Sequence, residues 1–300
     1  MYQISDFKTL KTGYGYPTSP QNPSAFALSP DTVLLYWKLP QSLNAPSKEI
    51  KYRITQQSSS LASPVSIGAK QFENGTFSAA LSDIVSCIED PCQAKIANLR
   101  SSADYKFWVA AIHFTRLQAT FAEDDAISVE AVTRTMDIPG TLRLENVTSE
   151  SIMLRWNSLE PQNLPEKIDV QYRLSGTDST WTSSPNATFD PKSESSLNIT
   201  IPTLRSSTSY DYRFVATYTG KYSYSEKEKT FTEQFFQPTQ QGRTKAGTPS
   251  APISVEITKE RAFWILKWQK PENDGGAPIV SYAVEYRLVF VCQKKLSFFI

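Results

Sequence analysis

The sequence predicts an all-β protein in which antiparallel β-sandwiches follow one another along the chain. The first observation is the composition: 40% of the 300 residues are hydrophobic, 12% are aromatic, and Pro (19) outnumbers Gly (11). That mixture supports packed cores and favours short strands joined by turns over long helices. The second and third observations are a period-two alternation of apolar residues and its repetition along the chain.

Three similar strands carry the repeat, and each of them ends in tryptophan. Their sequences are VLLYW (33–37), IMLRW (152–156) and WILKW (264–268). Apolar residues occupy alternate positions in each, as is typical of a strand with one face on a core. The final residues Trp37, Trp156 and Trp268 recur at slightly more than the roughly 100 residues of one compact β-domain. We therefore predict that each tryptophan is a core residue of its own domain.

Two further features accompany the tryptophan strands. A second strand with a tyrosine follows each of them, at Tyr52, Tyr172 and Tyr286. A leucine lies six residues before a strand-opening tyrosine in two places, Leu99 with Tyr105 and Leu204 with Tyr210. Such a tyrosine can fold over the corner of a sandwich and bond to backbone upstream. These residues are therefore predicted to be structural.

Together, these features resemble fibronectin type III domains. The resemblance covers about residues 20–287 and implies immunoglobulin-like, seven-stranded sandwiches arranged as elongated beads on a string. The boundaries it implies are 1–19 for an N-terminal linker, 20–137 for a first domain with an insertion at about 56–91, 138–247 for a second domain, 248–287 for the first three strands of a third, and 288–300 for an off-pattern tail.

The tail lacks the features that would complete the third domain. It supplies neither a Leu-x5-Tyr corner nor an alternating strand of the expected length, so the fourth to seventh strands are expected to be missing. Trp268 and Tyr286 would then lose their covering sheet. We predict that the chain is a fragment of a longer parent and that residues 248–300 alone do not fold cooperatively.

The sequence offers little catalytic chemistry. Phosphate-loop, metalloprotease and nucleophile-elbow motifs are missing, and so are kinase motifs. The only histidine, His113, falls at the exit of a strand, where a structural role is expected. We therefore predict no enzyme activity, no cofactor and no metal site in this chain. A net charge of +1 argues against nucleic acid as a partner, and no apolar run reaches the roughly 18 residues that span a bilayer.

Two kinds of residue point to the cell surface. Cys87 and Cys92 bracket CIEDPC, which could close a small disulfide loop in an oxidising compartment, with two free thiols as the alternative. Candidate N-glycosylation sequons begin at Asn74, Asn146, Asn186 and Asn198. Asn198 alternates with inward residues and should face water, Asn146 and Asn186 are predicted in loops, and Asn74 before Gly75 indicates a tight turn whether or not it carries a glycan.

The segment TGKYSYSEKEKTFTEQFF (219–236) mixes aromatic and charged residues. Aromatic anchors rimmed by charge suit a contact surface. The interpretation that the sequence favours is nevertheless an exposed, mobile hairpin tip.

A finer resemblance concerns the junction FFQPTQQGRTKAGTPSAP followed by WQKPENDGGAPIVSYAVEYR, which is similar to extracellular repeats of the Sevenless/Ros receptor tyrosine kinases. In that family the repeats form an ectodomain ahead of one membrane span and a kinase. The resemblance implies a non-catalytic, glycosylated segment on the extracellular side of the plasma membrane. Its expected role is to bind a protein ligand or adhesion partner, or to act as a spacer in cell–cell signalling, with membrane contact only through other parts of the parent. The alternative is a structural or adhesion array of matrix, neural or intracellular muscle type, with no kinase attached.

Overall fold

The structure is a computed structural model, and it describes residues 14–58, 65–66, 71–72, 76–78, 84–113, 128–224, 226–287 and 295–299. In these residues the regular structure is β throughout, apart from one turn of 3-10 helix at Ser47–Glu49. The predicted all-β fold class is therefore confirmed. Within the same ranges, no helix is long and apolar enough to cross a bilayer.

The first sandwich is formed by residues 21–134. Its strands are β1 (Gln21–Ser29), β2 (Thr32–Lys38), β3 (Ile50–Ser58), β4 (Val65–Ser66), β5 (Gln71–Phe72), β6 (Thr76–Ser78), β7 (Ile84–Ser86), β8 (Cys92–Ala97), β9 (Asp104–His113) and β10 (Ser128–Arg134). One sheet has the order β1-β2-β8-β6-β5, and the other has β10-β9-β3-β4 with β7 also on β3. All these pairs are antiparallel except β6 with β8. Trp37 of one sheet meets Tyr52 of the other, with ring centroids 5.3 Å apart, and both are fully buried.

The second sandwich is formed by residues 140–243. Its strands are β11 (Gly140–Val147), β12 (Ile152–Ser158), β13 (Lys167–Leu174), β14 (Thr182–Phe189), β15 (Ser196–Ile201), β16 (Ser209–Tyr224), β17 (Lys227–Phe236) and β18 (Gln240–Arg243). The sheet β11-β12-β15 faces the sheet β14-β13-β16-β17, on which β18 also pairs with β16. Trp156 is fully buried between them, edge-on to Phe214 at a centroid distance of 5.0 Å.

Each sandwich has a tyrosine corner of the predicted kind. The Tyr105 hydroxyl accepts a hydrogen bond from the backbone N–H of Arg100 at 2.8 Å, and the Tyr210 hydroxyl accepts one from Arg205 at 2.9 Å. Leu99 and Leu204 are buried beneath the two corners. The corner thus supplies a partner to a backbone donor that the turn would otherwise leave unpaired.

A buried threonine braces each corner, and sequence reasoning missed both. The Thr135 hydroxyl donates to the Arg100 carbonyl at 2.7 Å and accepts from the Ala103 N–H at 3.0 Å. In the second sandwich the Thr244 hydroxyl donates to the Arg205 carbonyl at 2.6 Å and accepts from the Thr208 N–H at 2.9 Å. Thr244 is 3% exposed. The sequence signal for these threonines was an Arg-Thr pair, which occurs in both copies of the repeat, at 134–135 and at 243–244.

The third group of strands forms two separate two-stranded sheets. Its strands are β19 (Ile253–Glu260), β20 (Phe263–Gln269), β21 (Ala283–Arg287) and β22 (Lys295–Phe299), paired β19 with β20 and β21 with β22. Trp268 is half-buried beside Tyr282, while Trp264 is 67% and Tyr286 48% exposed. This agrees with the expected lack of a covering sheet. Within the tail, residues 295–299 form the short strand β22, whose backbone pairs in register with 283–287. Residues 288–294 and 300 lie outside the described residues.

Candidate interaction sites

The residues considered for chemistry are held structurally. His113 ends β9, is 3% exposed and lies against Tyr14 with ring centroids 5.8 Å apart. No group of three or more potential metal ligands occurs among the described residues. The arrangement around His113 is that of a core residue at a strand end.

Cys87 and Cys92 are joined by a disulfide in the structure, with an S–S distance of 2.06 Å. Cys92 begins β8 and is buried in the first core, against which Cys87 also packs. The bridge therefore attaches the five-residue loop before β8 to the core of the first sandwich. No further sulfur chemistry is available at a disulfide-bonded pair.

The sequons differ in their surroundings. Asn198 lies on β15 and is exposed, between the half-buried Leu197 and the buried Ile199, as predicted. The prediction of loops for Asn146 and Asn186 is wrong, because the backbone of each lies in a strand, β11 and β14 respectively. Asn146 is exposed at a β-bulge, where its side-chain oxygen accepts from the Val147 N–H. Asn74 lies outside the described residues.

The most extensive contact between the sandwiches is made by a long hairpin (residues 218–233) of strands β16 and β17. It extends beyond the second sandwich and packs on the outer face of the first, where Tyr36 and Tyr224 stack at a centroid distance of 4.7 Å. Leu28, Leu34, Tyr36 and Tyr224 form a separate buried cluster there, with Phe26, Tyr222 and Phe231 packed against it. The interpretation of this segment as an exposed, mobile tip is therefore wrong.

Polar contacts fix the register of the long hairpin on the first sandwich. The hydroxyls of Tyr36 and Tyr222 share a hydrogen bond of 2.6 Å, and the Tyr224 hydroxyl donates to the Asn22 carbonyl at 3.1 Å. Lys95 on β8 forms an ion pair with Glu233 on β17, and both side chains are largely buried. Burial, followed by the hydrogen bond with Tyr36, raises the pKa of Tyr222 to about 12. At neutral pH Tyr222 is therefore protonated, and one of the two hydroxyls donates to the other.

The sequence of β2 explains why the hairpin docks there. Val33, Leu35 and Trp37 face the first core, while Leu34 and Tyr36 point to the opposite face and are buried as well. A continuous apolar run is typical of a strand covered on both faces. The equivalent strand of the second sandwich instead exposes Arg155 outward. The missed signal was therefore the absence of alternation in VLLYW.

A second joint connects the second sandwich to the third group of strands. The turn at 273–276 lies between β20 and β21, and its Gly275 carbonyl accepts from the Gly247 N–H at 2.8 Å. The Gly276 carbonyl accepts from the Ser207 hydroxyl at 2.9 Å. Gly276 has φ +85°, and a Cβ there would lie 2.1 Å from the Ser207 Cβ. The turn therefore serves both as a strand connection and as a contact between modules.

An arginine–aromatic stack occupies the outer face of the five-stranded sheet in the second sandwich. The Arg213 guanidinium lies 4.0 Å from the Trp181 ring centroid and 4.6 Å from that of Phe236. Arg173 covers the Trp181 ring at 4.5 Å. Phe236 is 44% exposed, so the stack reaches the surface. Arginine over aromatic faces is favourable in this geometry.

The two arginines of the stack differ in their charge compensation. Arg173 forms an ion pair with Asp211 at 3.3 Å. Arg213 instead hydrogen-bonds the side-chain oxygen of Gln171 from two nitrogens, at 3.3 and 3.0 Å. Burial, and to a lesser extent the charge of Arg173, lower the pKa of Arg213. One cation of the stack is thus neutralised and the other is paired with an uncharged amide.

Sequence reasoning missed this stack, although a signal was present. Tyr-Arg-apolar triplets occur at 172–174 and 212–214, and the two strands that contain them are paired with Tyr172 opposite Tyr212. Inward tyrosines in that register place both arginines on the same outer face. The position of Trp181 over them follows from the path of the chain before β14 and carries no sequence pattern.

Comparison with protein-family models gives no match. Protein roller-3 of Caenorhabditis briggsae is 49% identical over 288 residues, which are 95% of this chain and 12% of that protein. Proto-oncogene tyrosine-protein kinase ROS of Gallus gallus is 27% identical over 282 residues, which are 92% of this chain and 10% of that protein. The chain therefore spans only about a tenth of the length of each of these relatives.

Proposed function

We propose that this chain is a non-catalytic extracellular segment of a larger cell-surface receptor, and that it binds a protein partner or spaces other parts of that receptor. The observation that carries the proposal is the similarity to proto-oncogene tyrosine-protein kinase ROS over 92% of a chain that folds as tandem sandwiches.

The contacts between modules suit such a role. The long hairpin and the 273–276 turn give adjacent modules interfaces in addition to the chain connection. An interface with a buried aromatic cluster and a buried ion pair restricts the relative motion of two domains. A binding surface on one sandwich would then keep a defined orientation relative to its neighbour.

The extracellular assignment is tested by expressing the chain behind a secretory signal in animal cells. We expect a mass decrease on treatment with an N-glycosidase, and a smaller decrease in the Asn198→Gln variant, because Asn198 is exposed on its strand. Asn157→Gln, which alters a neighbouring strand but no sequon, is the matched control and should leave the mass decrease unchanged.

Thiol chemistry gives an independent readout of the same assignment. Native protein isolated from its source should yield a peptide pair linked through Cys87 and Cys92. No glycan at any of the four asparagines, together with free thiols at both cysteines, would contradict the proposal and favour an intracellular structural array. An antibody to this segment that detects a membrane-bound polypeptide with kinase activity would separate a receptor kinase from an adhesion or matrix array.

A further inference from the structure

We infer that the arginine–aromatic stack of Trp181, Arg213 and Phe236 is a docking surface for a protein partner that presents a carboxylate flanked by apolar side chains. The inference rests on the proposed function, because it names the surface with which a protein-binding segment would make contact. It concerns the outer face of the sheet β14-β13-β16-β17, which also carries the sequon Asn186 in β14, whereas Asn146 and Asn198 lie on the opposite sheet.

The charge on this surface favours an acidic group. Arg213 lies within salt-bridge distance of no carboxylate in the part of the chain that the structure describes. A guanidinium has five N–H donors in a fixed fork, and only two of the Arg213 nitrogens donate to the side-chain oxygen of Gln171. A carboxylate that reaches the remaining N–H donors would form charge-assisted bonds that the neutral amide does not provide.

The stack also holds Arg213 in place before any partner arrives. The Arg213 guanidinium contacts the rings of both Trp181 and Phe236, and the hydrogen bond to Gln171 fixes the plane of the guanidinium. A side chain that is already ordered loses less conformational entropy on binding. Tryptophan and arginine are also the residue types most enriched among those that dominate the affinity of protein interfaces.

The apolar part of the expected partner follows from Phe236. This ring is 44% exposed at the edge of the stack, so an apolar side chain beside the carboxylate would cover it. A polyanion such as a sulfated polysaccharide fits less well, because Arg173 is already neutralised by Asp211 and the net charge of the chain is only +1. The surface therefore suits one carboxylate within an apolar contact.

The test is selection of a random 12-residue peptide library, displayed on phage, against the secreted full chain after N-glycosidase treatment. We expect enriched peptides to contain Asp or Glu next to aromatic or aliphatic residues. The affinity of the best synthetic peptide should fall at least tenfold in Arg213→Ala and in Trp181→Ala. In Arg213→Lys the fall should be intermediate, because charge remains but the planar fork is lost.

Controls separate docking from a purely structural role. Arg155→Ala removes an exposed arginine from the opposite sheet and should leave the affinity unchanged. Each variant is first compared with the wild type by circular dichroism and thermal unfolding, and Arg213→Lys serves if Arg213→Ala does not fold. Heparin binding that depends on Arg213, without enrichment of acidic peptides, would assign the surface to sulfated polysaccharide and overturn the inference.

Enrichment of peptides without an acidic residue would also overturn the inference, as would acidic peptides that bind Arg213→Ala and wild type equally well, or no enrichment at all. These outcomes are distinct from failure of the proposed function, which depends on glycan occupancy and on the Cys87–Cys92 linkage. A chain that is glycosylated and disulfide-bonded but selects no acidic peptide would retain the proposed function and lose this surface.

Discussion

Trp156 and Trp264 are chemically identical side chains in opposite environments. Trp156 is fully buried against Phe214, whereas Trp264 is 67% exposed on a two-stranded sheet. Trp156→Ala should lower the free energy of unfolding of the second sandwich by about 3–5 kcal/mol, because it removes a large apolar group and leaves a cavity. Trp264→Ala should cost less than about 1 kcal/mol. Urea unfolding followed by far-UV circular dichroism measures both, and equal losses would contradict the assignment of Trp156 as the core residue.

The braced corner makes a second prediction at this scale. Thr244→Val removes the hydroxyl that bonds the Arg205 carbonyl and the Thr208 N–H, leaving both groups unsatisfied near the core. The expected loss of stability is roughly 1–3 kcal/mol. Thr244→Ser keeps the hydroxyl and should recover most of it, which thermal unfolding of the two variants can determine. If Val and Ser variants melt alike, the hydroxyl is not what stabilises the corner.

Residues that follow the alternation of a strand could be predicted from sequence to be core residues, whereas the role of residues outside such a pattern could not be predicted. Trp37, Trp156, Tyr105 and Tyr210 stand in alternating strands at repeated positions, so periodicity and repetition placed them in the core. Thr244 is a single polar residue whose role depends on carbonyl and amide groups about 40 positions away along the chain. The Arg-Thr pair marks the position in both copies of the repeat, but it does not identify the groups that the hydroxyl bonds.

At the scale of elements, the long hairpin shows the same distinction between what a sequence pattern predicts and what it does not. The sequence of 219–236 was interpreted as a hairpin, but the docking of this hairpin depends on Tyr36, which lies 186 residues from its partner Tyr222. The continuous apolar run of β2 indicated that something covers its outer face, without indicating what. The identity of the covering element is a property of the packed pair of sandwiches.

The raised pKa of Tyr222 predicts how this contact responds to pH. Burial and the bond to Tyr36 raise the pKa from about 10 in the unfolded chain to about 12 in the folded chain. The protonated form is therefore favoured by folding, so its contribution is full below about pH 10 and is lost as the pH rises to about 12. Thermal unfolding between pH 9 and 12 should show a steeper loss of stability in wild type than in Tyr222→Phe.

The comparison with Tyr222→Phe isolates this group from its neighbours. Lys229, whose ammonium lies 5.0 Å from the Tyr36 ring centroid, is present in both proteins. Tyr222→Phe also loses the hydrogen bond between the Tyr36 and Tyr222 hydroxyls, but the resulting loss of stability is constant below pH 10. Parallel stability curves for the two proteins above pH 10 would contradict a raised pKa at Tyr222.

The 273–276 turn can be tested with two glycines of similar conformation. Gly176 has φ +71° with nothing within 4 Å of an added Cβ, whereas an added Cβ on Gly276 (φ +85°) would lie 2.1 Å from the Ser207 Cβ. Both Ala substitutions strain the backbone, by about 1 kcal/mol. Only Gly276→Ala should also displace the turn and speed hydrogen exchange of the Gly247 amide, which bonds to Gly275. Equal exchange rates in the two variants would show that the turn is not seated on Ser207.

At the scale of the whole molecule, the two complete sandwiches and the third group differ in how they bury apolar surface. Each sandwich closes its own core between two sheets, and the long hairpin adds a third buried cluster between them. In the third group, β19 and β20 expose Ile257, Phe263 and Trp264. The alternation of apolar residues could not separate these cases, because WILKW in the third group has the same alternation as IMLRW in the second sandwich.

This difference predicts that residues 248–300, made as a separate polypeptide, do not fold cooperatively. Their described strands form two isolated two-stranded sheets, which are marginal in water without further packing. The turn at 273–276 bonds to Ser207 and Gly247, both outside the fragment. The expected result is a broad thermal transition and poorly dispersed amide signals in an NMR spectrum. Residues 138–247, with the core around Trp156, are the matched control and should give a sharp transition. A sharp transition with dispersed amides for 248–300 would show that the third group is stable without the second sandwich.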